Sequence, residues 1–206
     1  MQILRDDFAY VDPEIKDIAY QAKNEIENLY AKEDGVIPYH WNKVKIHMAK
    51  LPSRIILEKQ GGNRVVKRVK GTLGQYRYGG GGLLNWLFGL GKNHDICINK
   101  DLFLVNDGGR QLKTTLKHEL IHSIQDELGT IYNEPLWKTE GEASLFSGEG
   151  LEGLDLENHD IHSQYKNWTL QYIKNYGKKL SSSFKKRMKW LYYHFRPWEL
   201  WAIGSL

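Results

Sequence analysis

Residues 114–126 read TTLKHELIHSIQD, and within them lie His118, Glu119 and His122. On an α-helix, residues four apart share a face, so the two imidazoles can meet one metal ion with a carboxylate beside them. Neutral imidazoles suit zinc, which in hydrolytic centres takes three protein ligands and leaves one position for water. Such a centre lowers the pKa of that water to about 7, and Glu119 is placed to accept its proton. HELIH thus supplies two ligands and a candidate base. A third ligand must come from elsewhere in the chain.

The element that carries these residues is legible in its apolar spacing. Leu112, Leu116, Leu120, Ile124 and Leu128 form an i+4 ridge, which predicts a core helix from about residue 110 that Gly129 stops. Polar groups beside a buried ridge require partners, which favours a metal over a chance surface arrangement. Upstream, Asp12 and Pro13 open a helix with Ile15, Ile18, Ala19, Ala22, Ile26 and Leu29 on one stripe, ended by Gly35 and Pro38. Runs at 44–49, 54–60, 64–71, 75–78 and 94–99 read as strands, with Gly61-Gly62-Asn63 as a hairpin turn and Asn106-Asp107-Gly108-Gly109 as another turn. Further helices are expected at 139–147, 163–176, 182–195 and 197–203. Strands first and helices afterwards predict an α+β fold in one domain, 1–206. Residues up to about 109 form a helix-plus-sheet lobe and the rest a helical lobe, with a cleft between them.

The 206 residues carry a net charge of only +4, unevenly spread. Lys43 to Arg77 holds ten Lys/Arg and one acid, and Gln164 to Trp198 holds nine Lys/Arg and none. Between them, Glu134 to Asp160 holds eight acids and one lysine. A solvated face is the simplest reading of basic runs, and attraction to acidic partners is the sharper one. No helix-turn-helix, zinc-finger or RNA-binding signature accompanies them, which counts against nucleic acid. No stretch approaches the ~20 apolar residues of a membrane span. MQILRDDFAY has acids where a signal peptide has its apolar core, and the lone Cys97 fits a reducing compartment. A cytoplasmic protein without a membrane partner is expected.

Downstream of the histidines lies Pro135-Leu136-Trp137-Lys138-Thr139-Glu140-Gly141-Glu142-Ala143-Ser144. This stretch resembles the second motif of the gluzincin metallopeptidases, especially their aminopeptidase-like branch, in which Leu-Trp, two variable residues and Glu-Gly-x-Ala-Ser follow the HExxH helix. The resemblance covers roughly residues 94–148 and implies a zincin-like fold with Zn2+ as cofactor. It makes Glu140 the third ligand, although the seventeen residues between His122 and Glu140 are one fewer than is common there. Glu142, after nineteen, matches the spacing of thermolysin-like gluzincins. The two glutamates point about 200° apart on a helix and cannot serve one ion together. The longer motif match favours Glu140. Glu199, in Arg196-Pro197-Trp198-Glu199, is similar to a C-terminal metal ligand of some small zincins and is a third candidate. Residues 94–99 are also similar to the edge strand that roofs the cleft in these enzymes, where an extended peptide can pair.

The resemblance implies hydrolysis of a peptide bond with Glu119 as the proton carrier. A tyrosine beyond the third ligand stabilises the oxyanion in the aminopeptidase-like branch. Tyr165, Tyr172 and Tyr176 follow at helical spacing, with His159 and His162 before them, and Tyr165 and His162 are the candidates. The amine-holding glutamate of the aminopeptidases has no counterpart in Gly79-Gly80-Gly81-Gly82-Leu83-Leu84-Asn85, so a metalloendopeptidase is expected. That glycine run, with Trp86 and Phe88, reads equally as a flap over the cleft or a loop held by an apolar plug. The alternative function is a zincin-fold binding or structural module, without catalysis or acting on a non-peptide amide. A scaffold has no need of Glu119, which favours the enzyme. Its partner is then a protein or peptide substrate, with acidic segments suited to the basic faces.

Overall fold

The computed structural model describes residues 7–33, 41–60, 63–79, 93–127, 130–148 and 162–176. Asp12 begins the first helical segment by accepting the Glu14 N–H at 3.2 Å, and a 3-10 turn over Pro13–Ile15 leads into α1 (Lys16–Glu33). Its stripe of Ile15, Ala19, Ala22 and Ile26 is wholly buried. The described residues form six strands, β1 (Tyr10–Val11), β2 (Val44–Ala49), β3 (Ser53–Gln60), β4 (Asn63–Gly71), β5 (Gly74–Gly79) and β6 (Asn93–Asn99). Four of them form a mixed sheet in the order β1-β2-β6-β5, parallel except for β5, which runs antiparallel to β6. β3 and β4 stand apart as an antiparallel hairpin with Gln60 opposite Asn63, as the glycine turn between them implied.

One expectation is corrected here. Residues 94–99 are not an edge of the sheet: β6 lies between β2 and β5, and among the described residues the edges are β5 and the two-residue β1. Burial explains the difference. His94, Ile96 and Ile98 in β6 have no exposure, as suits an interior strand, whereas β5 alternates with Gln75 and Arg77 exposed. The two-residue β1, a 3-10 turn at Lys100–Leu104 and a four-residue helix at Thr130–Asn133 have no counterpart among the sequence expectations. Each is too short to carry a periodic signal.

The helical part comprises α2 (Arg110–Glu127), α3 (Thr130–Asn133), α4 (Leu136–Ser147) and α5 (His162–Tyr176). Gly108 and Gly109 take φ of +67° and +80°, and the turn brings the Asp107 carboxylate onto the N–H groups of Gly109, Arg110 and Gln111. α4 starts three residues earlier than its apolar pattern suggests, with Pro135 as N-cap. Leu112, Leu116, Leu120 and Ile124 are buried among the core side chains of α1 and the sheet. Glu25 of α1 ties to Lys113 at 2.9 Å and Lys117 at 3.2 Å of α2. No described helix is long and apolar enough to cross a membrane.

Asn99, fully buried at the end of β6, fixes the start of β5. Its amide donates to the carbonyls of Leu51 and Thr72, its side-chain oxygen accepts the Asp101 N–H, and its own N–H donates to Leu73 O at 2.8 Å. Asp101 is held in turn by Lys50 and Ser53. These bonds settle where Thr72, Leu73 and then Gly74 must lie.

Gly141 sets the distance between α4 and α5. A methyl group on it would lie 2.5 Å from the Trp168 carbonyl oxygen and 3.0 Å from Tyr172 Cβ. Gly141→Ala should therefore destabilise the protein by about 1–3 kcal/mol, despite the better helix propensity of alanine, because a backbone carbonyl cannot yield without moving α5. Urea denaturation measures this. A variant as stable as the wild type would show that the helices are not in such close contact.

Candidate metal centre

α2 turns His118 and His122 toward the start of α4, where Glu140 meets them. The Nε2 atoms of the two histidines are 3.0 Å apart. His118 Nε2 is 3.2 Å from Glu140 Oε2, and His122 Nε2 is 3.4 Å from Glu140 Oε1. Among the described residues this is the one group of three or more His, Cys, Asp or Glu side chains that could hold a metal ion. Both histidines are buried and Glu140 is mostly so. Burial pushes the Glu140 carboxyl up, but hydrogen bonds and charge from His118 and His122 together outweigh it and hold it far below the usual carboxylate range. Glu140 is therefore an anion across the working pH range, as a ligand must be.

The other candidate ligands fall away from this centre. Glu142 accepts a hydrogen bond from Gln125 Nε2 at 2.8 Å and is absent from the cluster. Glu199 lies outside the described residues, as do His159 and the run 80–92. His162 and Tyr165 belong to the first turns of α5, with side chains outside the described residues. Tyr172 is buried edge-on against Phe146, with ring centroids 6.2 Å apart, so it serves the core.

Gln125 is a contributor that the motif reading misses. It is buried one turn past His122, and its side-chain oxygen lies 2.8 Å from His122 Nδ1. An amide oxygen only accepts, so Nδ1 donates to it, and the ring is held with Nε2 directed at His118 and Glu140. Its amide nitrogen donates to Thr139 O at 2.9 Å and to Glu142, which locks α2 to α4. The i+3 position after His122 is the only trace of this role in the sequence. A second buried network braces the other side: Tyr76 donates to Asp126 Oδ2 at 2.6 Å, and its oxygen is 2.7 Å from His94 Nδ1. It joins β5 and β6 to the end of α2, with the Tyr76 ring 6.5 Å from that of His122.

Glu119 points to the edge strand β5. It is buried, and a methyl group on Gly74 would lie 2.6 Å from its Oε1 and 2.7 Å from its Cγ. Only a residue without Cβ lets β5 approach the carboxylate so closely. The signal was present as a glycine between two strand-like runs. Gly74→Ala should push Glu119 aside while leaving the three-residue cluster intact. Metal content should then be unchanged, whereas any reaction that uses Glu119 as its proton acceptor should slow about 10²-fold, because small misplacements of a reacting group are costly. A variant that differs from the wild type in neither respect would mean the close approach has no bearing on Glu119.

No protein family, curated protein or solved structure matches this chain. What the centre can do follows from its own side chains.

Proposed function

We propose that the protein is a zinc-dependent metalloendopeptidase, carried chiefly by the convergence of His118, His122 and Glu140 beside Glu119. The donor set, two imidazole nitrogens and one carboxylate, is one that zinc takes in catalytic centres. The spacing supports the same ion. Tetrahedral zinc with arms of about 2.0–2.1 Å puts its ligand atoms about 3.3 Å apart; the two Nε2 atoms are 3.0 Å apart, and each faces a different oxygen of Glu140, at 3.2 Å from His118 and 3.4 Å from His122. When bound, zinc supplies Lewis acidity toward the scissile carbonyl and toward water.

The remaining chemistry belongs to the chain. Gln125 orients His122, and Gly74 leaves room for the Glu119 carboxylate against β5. Glu119 takes the proton from the attacking water and passes it to the leaving amine. Among the described residues β5 has a neighbour on one side only, so its free main-chain groups can pair with an extended peptide. Pairing there would lay the scissile bond next to Glu119. Tyr165 or His162 is the proposed oxyanion donor. The test is cleavage of an unfolded protein by the zinc-loaded chain, with loss of cleavage on chelation and in Glu119→Gln. A zinc-loaded chain that leaves such substrates intact overturns the proposal.

A further inference from the structure

The β3–β4 hairpin carries a concentration of positive charge that its own fold does not neutralise. In the ladder, Arg54 stands directly opposite Lys70, and Ile56 opposite Arg68. Directly opposed residues share a face, as do residues two apart, so Arg54, Ile56, Arg68 and Lys70 form one patch. The intervening Val69 is buried in the core, and its N–H and C=O are both bonded by the Gln111 side chain of α2. The cationic patch lies on the face away from the Val69 side chain, with Arg54 exposed and Ile56, Arg68 and Lys70 half-buried, and the hairpin is anchored to the helix that bears the histidines.

Like charges opposed across a ladder are destabilising. Burial, together with the charges of Arg68 and Arg54, holds the Lys70 ammonium below its ordinary value. The one acid of the hairpin, Glu58, pairs with Lys67 at 3.3 Å. Among the described residues no acid pairs with Arg54, Arg68 or Lys70, and the buried Arg68 Nε has no hydrogen-bond partner. A site that keeps three cations together and leaves a guanidinium nitrogen unsatisfied is suited to an anion from outside the chain.

We propose that this face binds an acidic segment of the polypeptide substrate, with Arg54, Arg68 and Lys70 taking carboxylates around an apolar side chain set on Ile56. The inference rests on the peptidase reading above. Proximity favours a peptide over nucleic acid. Lys70 is followed four residues later by Gly74, which touches Glu119, so their Cα atoms lie within ~14 Å of each other. A peptide paired with β5 could reach the patch with its next few residues. Ile56 also gives the patch an apolar centre that a phosphate backbone would not use.

The experiment measures binding to the full-length, zinc-loaded Glu119→Gln protein by fluorescence anisotropy. The ligands are an Asp/Glu-rich peptide, its Asn/Gln counterpart and a single-stranded oligonucleotide of equal charge. The acidic peptide should bind about tenfold more tightly than its neutral counterpart, and the gap should close at high salt and in Arg54→Gln/Arg68→Gln/Lys70→Gln. The single Arg68→Gln variant should close part of it. Tm of the triple variant should not fall, since three mutually repelling charges have been removed. In the active enzyme the triple variant should raise KM for the acidic peptide and leave kcat and the neutral peptide unchanged. Equal affinity for the two peptides, or a gap that survives the triple variant, overturns the proposal. So does an oligonucleotide that outcompetes the peptide at this face. Acidic-peptide binding by a wild-type protein that cleaves nothing would instead overturn the peptidase reading and leave the hairpin surface standing.

Discussion

Glu119→Gln should keep its metal and lose about 10²–10⁴-fold in kcat, the range attributed to a positioned general acid–base group. Glutamine has almost the shape of glutamate, so the contact with Gly74 and the packing of α2 are preserved. What disappears is the ability to accept a proton. Glu119 is not among the side chains gathered in the cluster of His118, His122 and Glu140, so metal affinity should not change. Metal content and cleavage measured on the same sample separate the two roles. Loss of metal together with activity would make Glu119 a ligand or a structural support. Undiminished cleavage would sink its role as base and return the non-catalytic module to consideration.

Glu140→Gln should empty the centre where Glu142→Gln does not. Both acids reach toward α2, but they meet different groups. Glu140 lies 3.2 and 3.4 Å from the two Nε2 atoms, and Glu142 accepts from the Gln125 amide. Removing Glu140's charge takes away a ligand and leaves two buried imidazoles to hold a dication. Removing that of Glu142 loosens the residue that orients His122, and such outer partners are worth about 10–100-fold in metal affinity. Competition with a chromophoric chelator should thus show a loss well beyond 100-fold for Glu140→Gln and one inside that range for Glu142→Gln. The reverse order would make Glu142 the ligand and require α4 to be rotated from its present position.

The local features of this site follow from residues close together in the chain. A helix over 110–127 and the sharing of one face by His118 and His122 depend on 3.6-residue periodicity alone, which sequence displays directly. The same holds for α1 with its Asp12 cap and for the β3–β4 hairpin, whose partners are separated by one turn. The choice between Glu140 and Glu142 leaned on motif resemblance, and only the packing of α4 on α2 brings one of them to the histidines. Sheet order was not legible, because which strand lies at an edge is decided by the helices and strands that cover it. β5 became an edge because β6, most of whose side chains are buried, lies within the sheet.

By itself, the sequence determined the two histidines, the candidate base and the helix that spaces them, since these depend on contacts within a few residues. Tertiary structure decided the rest: it brought Glu140, which motif resemblance favoured, to the histidines, and it alone revealed Gln125 as the group that orients His122 and Gly74 as the gap that admits Glu119. Each of these is a meeting of groups from different elements, and its geometry exists only once the core has packed.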